Sequence, residues 1–176
     1  MGIQIGAKPD AGFDDPIGML KDCHRRVEHF LNILVVVVER AGGRILSDEE
    51  RAAVEASLHY FRVGGRRHTA DEEESLFPRM REAGALPPEI EALEKEHDEA
   101  DPLHDTADRL YTRWIENGTL NDGDSQQLRD ATERMRALYA EHIKIEDNIV
   151  FPRAAQVLAS ETLAQIGQEF RKRRNL

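Results

Sequence analysis

The chain is short of several things, and each shortage excludes a class of protein. It has one cysteine, Cys23, among 176 residues, so no disulfide can close within it and a disulfide framework cannot be its scaffold. Its longest apolar run, Ile33 to Val38, is far below the roughly 20 residues that a membrane-spanning helix needs. The first residues, Met-Gly-Ile-Gln-Ile-Gly, lack the charged-then-apolar layout of a signal peptide, which makes the cytoplasm the expected location. Positive charge is also lacking: a net charge of −10 argues against a nucleic-acid surface and against an anionic membrane. The one basic cluster, Arg171-Lys172-Arg173-Arg174, reads as a solvated helix end compatible with the helix dipole. No stretch reads as a β-strand. What remains, 33% charged and 40% hydrophobic residues, suits one soluble domain with a real core.

What the chain does have is a stretch written twice. Residues 68 to 79 and 142 to 153 align without a gap as His-x3-Glu-Glu/Asp-x-x-Leu/Val-Phe-Pro-Arg. Residues four apart on a helix share a face, so His68 with Glu72, and His142 with Glu146, each aim an imidazole and a carboxylate at one volume. Each copy is followed by a bulky apolar pair and a proline expected to stop its helix. Two more histidines stand upstream at matching distances: His24 is 44 residues before His68, and His97 is 45 before His142. The chain therefore reads as two similar helical hairpins that bring two metal-ligand cassettes together.

Periodicity supplies the scaffold. After an arm over residues 1–13, a first helix starts at Asp15 as N-cap with Pro16 behind it and runs to about Arg40 before Gly42-Gly43. The β-branched run from Ile33 to Val38 lies within it, which implies a helix buried nearly all round. Ser47-Asp48-Glu49-Glu50 is a capping box opening a second helix that extends to Met80. Gly64-Gly65 predicts an irregular turn just before His68. The third helix begins near Pro88 and bends at Pro102; the fourth runs from about Ser125 to Phe151; a short fifth follows a Ser160 cap. This is an all-α chain, expected to form an antiparallel up-down four-helix bundle over residues 14–176. In such a bundle the levels of His24, His68, His97 and His142 coincide.

A lone His on helices one and three, with His-x3-Glu and a following Phe-Pro on helices two and four, resembles the hemerythrin-like family with HHE cation-binding domains. The resemblance runs from about Asp15 to Leu158. It implies a non-haem di-iron centre, oxo or hydroxo bridged, with His24, His68, His97 and His142 as terminal ligands and Glu72 and Glu146 as carboxylate bridges. The residues support the chemistry independently: four imidazoles and two carboxylates suit iron, manganese or zinc better than calcium or magnesium, and they differ from the Glu-x-x-His pattern of ferritin-like di-iron sites. Each ion would keep an open position for O2, NO or a related small oxidant. The implied function is binding or sensing such a ligand, or handling iron and oxidative stress. The alternatives are a di-iron oxidoreductase acting on peroxide or NO, and a structural metal module used for partner binding. No residue is assigned a catalytic role, which puts binding ahead of turnover. A monomer or homodimer fits equally.

The oxygen-carrying pattern has a further His one turn along the third helix, where this chain has Asp101. His104, two turns from His97 on the same face, is a candidate additional ligand or ligand-supporting group. Glu28, four after His24, reads as a surface group. His29 and His59 lie off the expected faces, Cys23 reads as a small buried thiol, and Tyr139 reads as core with the option of donating into the site. Glu73, Glu74 and Asp147 read as solvent-facing acids, with a supporting role at the site conceivable from their place in the motif.

Overall fold

A computed structural model describes residues 10–176. The arm expected over residues 1–13 falls largely outside the described residues. Its last four residues lie against the helices: the Ala11 amide donates to Asp22 Oδ2 at 2.6 Å, and the Phe13 ring packs under the Arg171 guanidinium at 5.0 Å.

The described chain is all-helical, with no strand among the described residues, and it forms a helical bundle. Helix α1 (Pro16–Ala41) starts where the sequence places it, with the Asp15 carboxylate accepting from the Gly18 amide at 2.9 Å, and its backbone closes at Gly42. Helix α2 (Asp48–Tyr60) opens on the full Ser47–Glu50 capping box, then passes through a π-helical turn (Phe61–Gly65), α3 (Arg66–Asp71), a second π turn (Glu72–Leu76) and α4 (Phe77–Glu82). Helix α5 (Ile90–Asn117) runs through Pro102, which is exposed, so water can serve the carbonyl left without a donor. Helix α6 (Asp122–Ile145), a third π turn (Glu146–Val150) and α7 (Phe151–Val157) form the fourth rod, and α8 (Ser160–Arg173) packs on α1 and α3.

Several expectations change. The prolines of the Phe-Pro pairs do not stop their helices; Pro78 and Pro152 sit at the second residue of α4 and α7. A proline cannot donate to the carbonyl four residues back and its ring crowds it. Each helix responds by widening to a π turn, in which the Phe77 amide bonds the Glu72 carbonyl and the Phe151 amide bonds that of Glu146. The fourth helix begins at Asp122 rather than Ser125, because the Asn121 side chain caps it by accepting from the Asp124 amide at 2.8 Å. Ser160 is the first helical residue of α8 and Ala159 its N-cap, with no side-chain bond.

The basic cluster is a solvated end only in part: Arg171 and Lys172 are exposed. Arg173 and Arg174 both bond the carboxylate of Asp71, which is 1% exposed, and Arg173 also reaches Glu74 and Ser75.

Two apolar clusters fill the bundle. One gathers Leu34, Val38, Leu58, Leu110, Trp114 and Leu128; the other gathers Leu20, Phe77, Leu93, Phe151, Ile166 and Phe170. Tyr111 Oη bonds the Leu34 carbonyl, and Trp114 Nε1 donates to the Arg44 carbonyl at 2.8 Å, so the polar atoms of the large aromatics are satisfied. Along every rod the polar residues of the duplicated motif lie between the two clusters: His24 between Leu20 and Leu31, His97 between Leu93 and Ala107, His68 and Glu72 between Leu58 and Leu76, and His142 and Glu146 between Met135 and Val150.

The α8 packing depends on a glycine. A Cβ on Gly167 would stand 1.9 Å from the Phe13 carbonyl oxygen, so that backbone approach is closed to any side chain. Gly167→Ala is therefore expected to destabilise the fold by about 2 kcal/mol through forced separation of the Phe13 segment and α8, measured by urea unfolding.

Candidate metal centre

The sequence turns four imidazoles and two carboxylates inward at one level, and all six are buried. Their ligand atoms fall into two overlapping groups, one of His24, His68, Glu72 and Glu146, the other of Glu72, His97, His142 and Glu146. Within each group these atoms lie within 4.8 Å of one another. Both carboxylates belong to both groups. Nε2 of His24 and of His142 lie 3.0 and 3.3 Å from Glu146 Oε2, while Nε2 of His68 and of His97 lie 3.4 and 3.6 Å from Glu72 Oε1 and Oε2.

The outward nitrogens explain why the inward ones are free. Nδ1 of His24 lies 3.0 Å from Asp147, Nδ1 of His97 2.7 Å from Glu73, and Nδ1 of His142 2.8 Å from Glu96. A carboxylate only accepts, so each of these ring nitrogens carries the hydrogen, and the neutral tautomer leaves a lone pair on Nε2 pointing into the site. This is the arrangement in which a carboxylate fixes the orientation of a metal-ligating histidine and raises its basicity. His68 differs: its Nδ1 is buried without a hydrogen-bond partner.

The consequence is a polar centre that its own atoms do not satisfy. Nε2 of His97 and of His142 face each other at 3.1 Å, a separation at which two lone pairs repel unless a proton or cation stands between them. All four oxygens of Glu72 and Glu146 are buried with no hydrogen-bond partner. Burial, compounded by the Glu146 charge, pushes Glu72 well above the usual carboxylate range. Burial acts the same way on Glu146, but His142 and His24 outweigh it and hold Glu146 below that range. Burial opposes the charge on His24, yet Asp147 and Glu146 raise its pKa to about 9; for His68, burial and the neighbouring His24 outweigh Glu146 and drive it well below the usual imidazole value. Burying such a set unpaired costs several kcal/mol per ion. Cations held among these residues would satisfy the orphaned inward atoms, and the mixed nitrogen and oxygen donors fit iron, manganese or zinc.

The remaining candidates separate clearly. Glu28, His29 and His59 are exposed, and Cys23 is buried with its Sγ 3.5 Å from Arg26 Nη2. Asp101 is exposed, and His104 stays outside both ligand groups, with its Nε2 2.7 Å from Tyr139 Oη. Glu73 and Asp147 turn out not to be idle surface acids. Each follows an inward Glu by one residue, which on a helix points it toward the neighbouring rod, and the acid kept in both copies of the motif was the signal for that role. Glu96 carried no such signal, since nothing duplicates it. Glu74 is exposed and meets Arg173 at 3.1 Å.

These features define a helical bundle with a buried cluster of four histidines and two glutamates placed so that they could hold cations. Residues 15–154 match the hemerythrin HHE cation binding domain, and the chain belongs to that family. It is also similar to an uncharacterized protein of Haemophilus influenzae, 30% identical over 176 residues that cover 94% of each chain. No described helix is long and apolar enough to cross a membrane.

Helix α8 lies beyond the matched residues, yet its last residue, Arg173, and its C-cap, Arg174, hold Asp71, the residue directly before Glu72. The corresponding residue of the second copy is Ile145, and there Asn148 Nδ2 steadies its own turn by donating to the Lys144 carbonyl at 2.7 Å. Replacing Arg173 and Arg174 together by Ala strands a buried carboxylate and is expected to cost about 3 kcal/mol. Replacing Asp71 by Asn in that double variant should recover part of the loss, as read by denaturant midpoints.

Proposed function

We propose that the protein holds two iron ions between its helices and uses them to bind or sense O2, NO or a related small oxidant. The observation that carries this is the set of four orphaned carboxylate oxygens facing four inward Nε2 atoms at the centre of the bundle. In this reading His24 and His68 hold one ion, His97 and His142 the other, and Glu72 and Glu146 serve both. Manganese or zinc would fit the same donors. Bound there, iron supplies a redox-active Lewis acid with room for one more ligand.

The chain's own residues do the rest. Asp147, Glu73 and Glu96 orient three imidazoles and keep them basic, while the apolar clusters on either side exclude bulk water. We take the bundle to be an antiparallel up-down four-helix arrangement spanning residues 14–176, with 1–13 as an arm. The alternation supports it: α1 and α5 run from the Phe151 cluster toward the Trp114 cluster, and the other two rods run back.

A second reading, turnover of peroxide or NO, is favoured by one contact. The Tyr139 hydroxyl, hydrogen-bonded to His104, lies in the wall of the space beside the four imidazoles, where a proton donor would be needed.

The test is a graded series. Glu72→Ala and Glu146→Ala should abolish binding of the ion pair, Glu73→Gln and Asp147→Asn should weaken metal affinity by about 10-fold to 100-fold, and Glu28→Ala should change nothing, all read by metal titration. Equal affinities across the five variants would contradict the assignment. With iron loaded and reduced, NO should give a reversible absorption change. Sustained NO or peroxide turnover that collapses in Tyr139→Phe, with iron retained, would favour the enzyme.

A further inference from the structure

Beside the candidate metal centre lies a void of about 10 Å³, lined by the imidazoles of His24, His68, His97 and His142 and by neither Glu72 nor Glu146. That is about the room one water molecule needs. A second cavity, of about 90 Å³, starts at His97 and runs outward over the apolar side chains of Leu34, Leu58, Ala100 and Ala107. Its rim carries the exposed side chains Arg62, Arg66, Asp101 and Asp105. The two spaces share the walls formed by Phe61, Gly65, Thr69, His97 and Tyr139.

Within that shared wall Gly65 is the residue that its surroundings do not demand. Its backbone, at φ −59° and ψ −52°, is ordinary right-handed helix that any residue adopts. A Cβ added there would meet nothing nearer than Phe61 Cδ1 at 3.6 Å, an ordinary contact. Its neighbour Gly64 is different, because a Cβ there would stand 2.7 Å from the Tyr60 ring. Packing therefore explains Gly64 and leaves Gly65 unexplained, although glycine is the poorest helix former after proline. What the bare Gly65 does provide is open space at the junction of the outer cavity and the void against the four imidazoles.

We propose that Gly65 is the size-selecting constriction of a passage that admits small, uncharged molecules of two or three atoms from the rim at Arg62 and Asp105 to the candidate metal centre. The apolar floor disfavours charged species, whose desolvation it cannot repay, and the single-water dimensions of the inner void exclude anything larger. Phe61 and Tyr139 line both spaces beside Gly65, and the hydrogen bond to His104 fixes Tyr139 in place. The proposal rests on reading the site as a metal centre that binds small molecules.

The probes are nitric oxide and xenon, on the full chain. Gly65→Val and Gly65→Leu should keep the wild-type iron content and circular dichroism, with a melting midpoint no lower than the wild type's. In stopped-flow measurements on the reduced, iron-loaded protein, both should slow NO association by about tenfold and slow dissociation in step, leaving Kd unaltered, since a barrier acts on both rates whereas a contact acts mainly on dissociation. Xenon, which is larger than a water molecule, should enter the outer cavity of wild-type crystals under pressure and stay out of the inner void. If the Leu variant does not fold, the Val variant carries the same comparison. Unchanged association rates in folded, loaded variants, a Kd change without a rate change, or xenon in the inner void of the wild type would each overturn the proposal. Iron-loaded wild type that does not respond to NO would count against the ligand-binding reading, and xenon held in the outer cavity but not in the inner void would still establish the size limit of the passage.

Discussion

Two carboxylates placed face to face in the middle of a bundle, with no donor for any of their oxygens, are the constraint around which this molecule is arranged. Left alone, Glu72 and Glu146 repel each other in a medium that screens poorly. The bundle does not avoid the problem by exposing them; both are fully buried. It surrounds them with four imidazoles, and Asp147, Glu73 and Glu96 turn the lone pairs of three of them inward, so the demand for positive charge at the centre is increased rather than relieved. In the proposed reading, cations shared by both carboxylates answer that demand, and the apolar clusters above and below keep water from answering it instead.

The backbone is shaped by the same requirement. Glu72 and Glu146 each begin a π turn, and in each case the cause is a proline six residues further on that cannot continue the ordinary hydrogen-bond ladder. The two halves are then secured differently. In the second, Asn148 bonds back to its own helix; in the first, the turn is held from outside by Arg173 and Arg174 at the end of α8. The duplicated cassette is thus symmetric at the inward residues and asymmetric in what holds them, which makes the C-terminal helix part of the support for Glu72.

The inward residues were readable because their chemistry repeats. His68 with Glu72 and His142 with Glu146 share a face at a spacing of four, and the repetition marked them without any knowledge of the fold. Capping residues were equally direct, as at Asp15 and Ser47. What escaped the sequence was whatever depends on a partner far along the chain. Asp71 and Arg173 are 102 residues apart, and a run of four basic residues looks the same whether water or a buried acid receives it. Glu96 is one acid among many on a charged helix until His142 is seen beside it. The prolines misled for a local reason: a π turn and a helix stop have the same sequence signature, and tertiary packing of Phe77 and Phe151 selects the former.

The central claim is that the centre holds two ions sharing Glu72 and Glu146, and its most direct test is to load the purified protein with iron and record metal content together with a Mössbauer spectrum. The account requires two irons per chain at saturation, magnetically coupled through their shared bridges. Saturation at one iron per chain, or two irons with the spectrum of isolated, uncoupled ions, would contradict it.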